Sequence, residues 1–164
     1  MSDDLYEHDI VSWSERQAAL LRRLARGERV NDVDWEHVIE EIEDVGISEL
    51  NAVRSQLRQI LVHLLKLYGW PDSPSVNHWR GEVAAFQADA VQRFSPGMRQ
   101  RIDLDELYRR ALWQVEDSAA AGDPSRPWPA ACPASLDDLL GERRPVLEGR
   151  FGVSGAGSPS GDPS

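Results

Sequence analysis

Cysteine, lysine and long apolar runs are scarce in this chain of 164 residues. The single cysteine, Cys132, excludes an intramolecular disulfide framework and a multi-cysteine zinc site. The longest apolar stretch, residues 60–67, is interrupted by His63 and the single lysine, Lys66. It is far shorter than the roughly 20 residues that a membrane-spanning helix needs. The sequence therefore predicts no membrane span and no disulfide-stabilised fold.

Basic charge is scarce as well, because 18 lysines and arginines face 28 acidic residues and leave a net charge of −10. A phosphate backbone repels such a chain, so general nucleic-acid binding is not expected. Docking on an anionic membrane surface is disfavoured for the same reason. Residues 1–9 are acidic and lack the basic and apolar regions of a secretory signal, so we expect a cytoplasmic protein.

Strand-like alternation is missing, whereas apolar residues recur at helical spacing along most of the chain. Ser12 or Ser14 is the predicted N-cap of the first helix, and Asp34, Asn77 and Asp103 are the predicted N-caps of later ones. The predicted segments are about Leu5–Leu24, Asp34–Val45, Ser48–Tyr68, Asn77–Phe94 and Asp103–Val115.

The connection around Gly46 has two interpretations. Glycine at 46 and serine at 48 favour a break between the second and third segments. The apolar stripe nevertheless keeps its helical phase across Gly46, which would suit one bent helix about 50 Å long. Such a helix is long for a domain of this size, so the sequence favours the break.

The C-terminal part differs in composition. Prolines accumulate after Gly122, and Ser135 is the predicted cap of one short helical turn, Leu136–Leu140. Glycine, serine and proline dominate the last residues, which cannot bury enough apolar surface to order themselves. We predict an all-α, up-and-down bundle of four to five helices over residues 1–141, with a proline-rich extension at its C-terminal end and a flexible tail at 142–164.

Acidic residues cluster on the second segment. Glu40, Glu41 and Asp44 resemble the EExxE motif of MazG-type helical pyrophosphohydrolases, whose carboxylates would hold Mg²⁺ or Mn²⁺. The second acidic pair of that family is missing, because Ala52 stands three residues after Glu49. The alternative is a solvated acidic face, and the sequence assigns no residue as a metal ligand.

His63 and Lys66 lie one helical turn apart in the most apolar part of the chain, where ionisable groups are costly unless they are paired. An antiparallel third and fourth segment would bring them near Trp79 and Glu82. These four residues form a predicted pocket for an anion, a small polar ligand or acid–base chemistry. The alternative is a structural histidine beside a lysine that reaches water.

Several motifs resemble bacterial domain-of-unknown-function family 29 (DUF29) in order and spacing. They are Tyr6-x-x-Asp9-x-x-x-Trp13, Val38-Ile-Glu-Glu-Ile-Glu-Asp-Val-Gly46, Ser48-Glu49, His63-Leu-Leu-Lys66, Trp79 and Cys132-Pro133. The resemblance extends from about Leu5 to Leu140 and implies a helical bundle without a known activity.

Two functions fit these observations. The first is a protein-interaction module that binds a partner protein or a second copy of itself, which the acidic face and the lack of a complete catalytic set favour. The alternative is a protein or enzyme that binds a small ligand, an anion or a metal in the pocket of His63 and Lys66. No catalytic residue is assigned.

Overall fold

The computed structural model describes residues 3–118 and 122–153, with side chains from residue 5 onward. Regular structure within these ranges is helical throughout, which confirms the all-α prediction. The helices are α1 (Asp3–His8), α2 (Ile10–Ala25), α3 (Trp35–Gly69), α4 (Val76–Arg93), a 3₁₀ helix (Pro96–Arg101), α5 (Leu104–Asp117), α6 (Leu136–Gly141) and α7 (Arg144–Arg150). None of the described helices is long and apolar enough to cross a membrane.

The first predicted helix is divided in two at Asp9. The Asp9 carboxylate accepts hydrogen bonds from the backbone N–H of Ser12 at 3.0 Å and from its hydroxyl at 2.6 Å. Asp9 is therefore the N-cap of α2, and the prediction of Ser12 or Ser14 was wrong. Likewise, Ser75 rather than Asn77 precedes the first residue of α4.

The predicted break at Gly46 is wrong, because α3 is one continuous helix of 35 residues. A glycine inside a helix costs only about 1 kcal/mol relative to alanine, so it weakens a helix without ending it. Gly46 does not have the positive φ of a helix terminus, and an added Cβ there would meet nothing within 4 Å.

Backbone contacts divide the chain into two compact units, residues 1–48 and 49–164. In the N-terminal unit, three buried side chains, Trp13, Val33 and Val38, form a small core. The contacts place no boundary at residue 141, where the sequence predicted one.

Helix α3 contributes most of the larger core in the C-terminal unit. Every residue from Ile60 to Leu65 is buried, so this stretch of the helix is enclosed on all of its faces. The side chains of α3 with no exposure at all are those of Val53, Leu57, Ile60, Leu61, Leu64, Leu65 and Leu67.

Helices α3 and α4 of the C-terminal unit run antiparallel. Glu49 near the middle of α3 pairs with Arg93 at the end of α4, with a 3.1 Å distance between Oε1 and Nη1. Lys66 near the end of α3 lies over Trp79 at the start of α4. This pairing confirms the up-and-down arrangement that the sequence predicted.

The proline-rich segment packs against the end of α3. Tyr68 donates a hydrogen bond from its hydroxyl to the carbonyl of Pro127, and Arg126 donates to the carbonyl of Tyr68. A Cβ added to Gly69 would lie 2.7 Å from the ring of Trp128, so only glycine fits beneath that ring.

Residues 142–153 correct the prediction of a flexible tail that begins at 142. They contain α7, and Leu147, Phe151 and Val153 are buried in the core of the C-terminal unit. Gly152 has φ +66, and the N–H of Val153 bonds to the carbonyl of Glu148, so the helix ends in a Schellman motif. The tail composition begins only after this motif, and residues 154–164 lie outside the described ranges.

Candidate functional site

Asp34 is the centre of a polar network in the N-terminal unit. Its carboxylate accepts hydrogen bonds from Nε1 of Trp13 at 3.0 Å and from Nδ1 of His37 at 2.8 Å. Its backbone N–H donates to Oε1 of the buried Gln17 at 2.9 Å. The network therefore ties α2 to the first turn of α3.

The same contacts shift two pKa values. Burial alone would raise the pKa of Asp34, but the hydrogen bonds from His37 and Trp13 outweigh it and hold the pKa below its usual value. The hydrogen bond to Asp34 raises the pKa of His37, although burial opposes this. Each group thus favours the charged form of the other, as expected of an ion pair.

Glu41 of the acidic cluster is half-buried and contacts another helix of the same unit. Its carboxylate accepts a hydrogen bond from the Tyr6 hydroxyl at 2.8 Å. That bond, with smaller effects of burial and of Glu40 and Asp44, raises the pKa of Tyr6 to about 12. The Tyr6 ring also stacks on His37, with 3.9 Å between the ring centroids.

The other two predicted acids, Glu40 and Asp44, are exposed. Among the described residues, no three His, Cys, Asp or Glu side chains come together in a way that could hold a metal ion. The acidic cluster is thus a row of exposed carboxylates with one half-buried member, Glu41, and Mg²⁺ or Mn²⁺ binding by it stays a prediction.

An apolar row lies beside these acids. Trp35, Ile39, Ile42 and Val45 are 52%, 52%, 68% and 66% exposed. They stand at helical spacing on the first half of α3 and share one face. The sequence predicted this stripe but did not predict that it is uncovered, whereas Val38 of the same stripe is buried.

The second predicted group lies in the C-terminal unit between α3 and α4. His63 is buried, and its Nδ1 donates to the carbonyl of Gln59 at 2.7 Å. Burial lowers the pKa of His63, the bond to Gln59 opposes this, and the charge of Lys66 lowers the pKa further. The lowered pKa favours the neutral imidazole.

Lys66 and Glu82 lie close enough to His63 to act on its pKa, and Trp79 contacts Lys66. Nζ of Lys66 is 5.9 Å from the centroid of the Trp79 ring, a cation–π distance. Glu82 is half-buried, and its negative charge raises the pKa of His63, against the larger lowering effect of burial. The structure thus brings the four predicted residues into one neighbourhood, while a ligand role for them stays a prediction.

Two features escaped the sequence analysis. One is the network of Asp34 and His37, whose signal was the N-cap position followed three residues later by histidine. The other is a cluster of arginines, Arg54, Arg58 and Arg110, that lines a cavity between α3 and α5. Arg54 and Arg58 lie one turn apart on α3, so their spacing places them on one face. No signal in the sequence near Arg110 indicates that it lies beside them.

Comparisons with known proteins agree with this architecture. A crystal structure of an alpha-helical protein of unknown function from Rhodospirillum rubrum ATCC 11170 is 33% identical, with a TM-score of 0.68. The similarity covers 88% of this chain and 96% of that one. No curated protein matches the chain. A family model described as "Domain of unknown function DUF29" matches residues 5–143, and the chain therefore belongs to this family.

Proposed function

We propose that this protein is an interaction module that docks a basic amphipathic helix of a partner protein on the first half of α3. The observation that carries the proposal is the exposed apolar row of Trp35, Ile39, Ile42 and Val45, which we call the docking row. Large apolar side chains in one contiguous, exposed row are typical of protein interaction sites. The helix-in-groove mode uses anchors at this spacing.

The charges beside the docking row favour a basic partner. Glu36, Glu40 and Glu43 each follow a member of the row by one residue and are exposed. One residue is about 100° around a helix, so the acids form a second row along one flank. A partner helix with leucine-like anchors and flanking arginines or lysines would complement both rows.

A second copy of the same face is the less suitable occupant. It would bring its own Glu36, Glu40 and Glu43 toward these acids, and like charges at an interface are unfavourable. The proposal therefore commits to a partner of opposite charge. We further propose that the module works in the cytoplasm, since a chain with one cysteine lacks the disulfides typical of small secreted domains.

Synthetic helices test the proposal directly. One peptide carries leucine on one face and arginine elsewhere, and a second has glutamate in place of arginine. We expect the arginine peptide to bind in calorimetry, more weakly as salt is added, and the glutamate peptide not to bind. Ile42→Glu should weaken binding about tenfold or more, because it places a charge in the centre of the row.

A matched control is Val91→Glu on α4, where an exposed valine outside the docking row receives the same charge. This variant should bind the arginine peptide like the wild type. Equal binding of both peptides, or equal loss in Val91→Glu and Ile42→Glu, would contradict the proposal. A dimer in sedimentation that Ile42→Glu dissociates would instead make a second copy the occupant.

A further inference from the structure

An arginine-lined cavity of about 240 Å³ lies within the C-terminal unit, between α3 and the start of α5. Arg54 and Arg58 reach it from α3, and Arg110 reaches it from α5. Asn51 and Ser55 add an amide and a hydroxyl to the lining. Such a set of donors is unexpected on a chain whose net charge is −10.

Three arginines share this cavity with two acids, so one positive charge is in excess. Arg110 pairs with Glu106 at 2.6 Å, and the other acid of the cavity, Asp103, caps α5 by accepting from the Glu106 N–H. Arg54 donates to the backbone carbonyl of Arg101, which carries no charge. Nε of Arg58 is buried and finds no hydrogen-bond partner in residues 3–118 and 122–153.

Arg54 and Arg58 line the cavity from α3, so a ligand bound there would meet their guanidinium groups. Guanidinium groups bind phosphate and carboxylate oxygens through paired N–H groups. Two neighbouring guanidinium groups offer paired N–H groups to more oxygens than a carboxylate has, which favours a phosphate monoester.

An aromatic platform adjoins the cavity. A second depression of about 450 Å³ shares Glu106 and Arg110 with it and extends to Trp113. Trp113 is 69% exposed, although tryptophan is the residue that gains most from burial. A ring that stacks on this indole would cover it, as bases do on aromatic side chains.

We infer that this cleft binds the phosphate monoester of a small molecule that carries a ring, of the nucleoside monophosphate class. Arg54 and Arg58 hold the phosphate oxygens, and Trp113 stacks on the ring. The site lies in the C-terminal unit and does not depend on the docking row. It takes a free small ligand rather than a nucleic-acid strand, which the acidic surface repels.

Calorimetry on the full chain tests this inference with AMP, inorganic phosphate, adenosine and acetate as probes. We expect AMP to bind best and inorganic phosphate more weakly, with adenosine and acetate weaker still. Arg58→Met should raise the dissociation constant of AMP about tenfold or more. Trp113→Ala should weaken AMP and leave inorganic phosphate unchanged, because only AMP has a ring to stack.

Arg16→Met is the matched control, since it removes the same charge from an exposed position on α2 and should bind AMP like the wild type. If Arg58→Met fails to fold, Arg58→Lys and Arg54→Met decide in its place, and both should weaken AMP. The inference is overturned if AMP does not bind, if adenosine or acetate binds as tightly as AMP, or if folded variants of both arginines bind it unchanged.

Discussion

The two halves of α3 carry the same apolar pattern and use it in opposite ways. Between Val53 and Leu67 the apolar side chains are fully buried in the core of the C-terminal unit. Between Trp35 and Val45 most of them are exposed, and only Val38 is buried. Periodicity therefore shows which residues share a face, whereas the rest of the chain decides whether that face is covered.

The cores of the two units differ accordingly. Three buried apolar side chains and the polar contacts of Asp34 hold the N-terminal unit together. Nineteen buried apolar residues of the described ranges form the core of the C-terminal unit. We expect the C-terminal unit to provide most of the stability, and the N-terminal unit to tolerate changes on its exposed apolar row.

The largest expected effect is the loss of the C-terminal unit's last helix. A chain that ends at residue 141 lacks Leu147, Phe151 and Val153, and it should lose more than about 5 kcal/mol, comparable to the whole stability of a domain. Thermal unfolding measures this. A chain that ends at residue 153 is the control and should melt like the full chain. Equal melting of all three chains would show that α7 contributes nothing.

A pair of truncations on the one helix compares its halves directly. Leu64→Ala removes a fully buried side chain and should cost about 3 kcal/mol. Ile42→Ala removes a side chain that is 68% exposed and should change stability by less than about 0.5 kcal/mol. Urea unfolding gives both values, and similar losses in the two variants would show that the docking row is covered.

A smaller effect is expected at the polar centre of the N-terminal unit. Asp34→Ala removes the acceptor of Trp13 and His37 and should cost about 2 kcal/mol. The NMR signal of the Trp13 indole N–H follows this unit during urea unfolding. Asp32→Ala, an exposed neighbour, is the control. If both variants unfold together with the wild type, the network does not stabilise the unit.

The smallest effect is a pH dependence of the same unit. Because folding raises the pKa of His37, protonated His37 stabilises the unit fully at pH values below 6.5, its ordinary pKa. This stabilisation is lost as the pH rises through the raised pKa. Because folding lowers the pKa of Asp34, the Asp34 carboxylate stabilises the unit fully at pH values above 3.8, its ordinary pKa. This stabilisation is lost as the pH falls through the lowered pKa. The unit should be most stable between these values.

The measurement is the protection of the Trp13 indole N–H from hydrogen exchange, relative to a free indole at the same pH, from below pH 3.8 to above pH 6.5. His37→Gln should remove the loss on the alkaline side, and His78→Gln at an exposed position of α4 should not. A profile that is flat in the wild type would show that the pair of Asp34 and His37 is not coupled to folding.

Local signals in the sequence predicted the helices well. Asp103 and Ser135 are N-caps as expected, because each carboxylate or hydroxyl accepts a backbone N–H three residues later. The break at Gly46 was predicted wrongly, since the continuous apolar stripe outweighs one glycine. Helix α7 was missed because the glycine-rich composition beyond it obscured Pro145 near its start and Gly152 at its end.

The candidate sites were less predictable, for a physical reason. The predicted group of His63, Lys66, Trp79 and Glu82 could be placed because two antiparallel helices joined by a short turn fix which residues become neighbours. The arginine cavity joins residues about fifty positions apart, and its charge balance depends on which acids are already paired. The docking row is exposed because no other described segment packs on it. The apolar pattern of a single helix carries no information about such packing.

The close approach of Gly69 and Trp128 has a consequence for the sequences of relatives. A side chain at position 69 and a large ring at position 128 exclude each other, since an added Cβ would lie 2.7 Å from that ring. The two positions should therefore change together during evolution, so that a relative with alanine at 69 carries a smaller residue at 128. Position 46, where an added Cβ meets nothing within 4 Å, is free of that constraint and can drift alone.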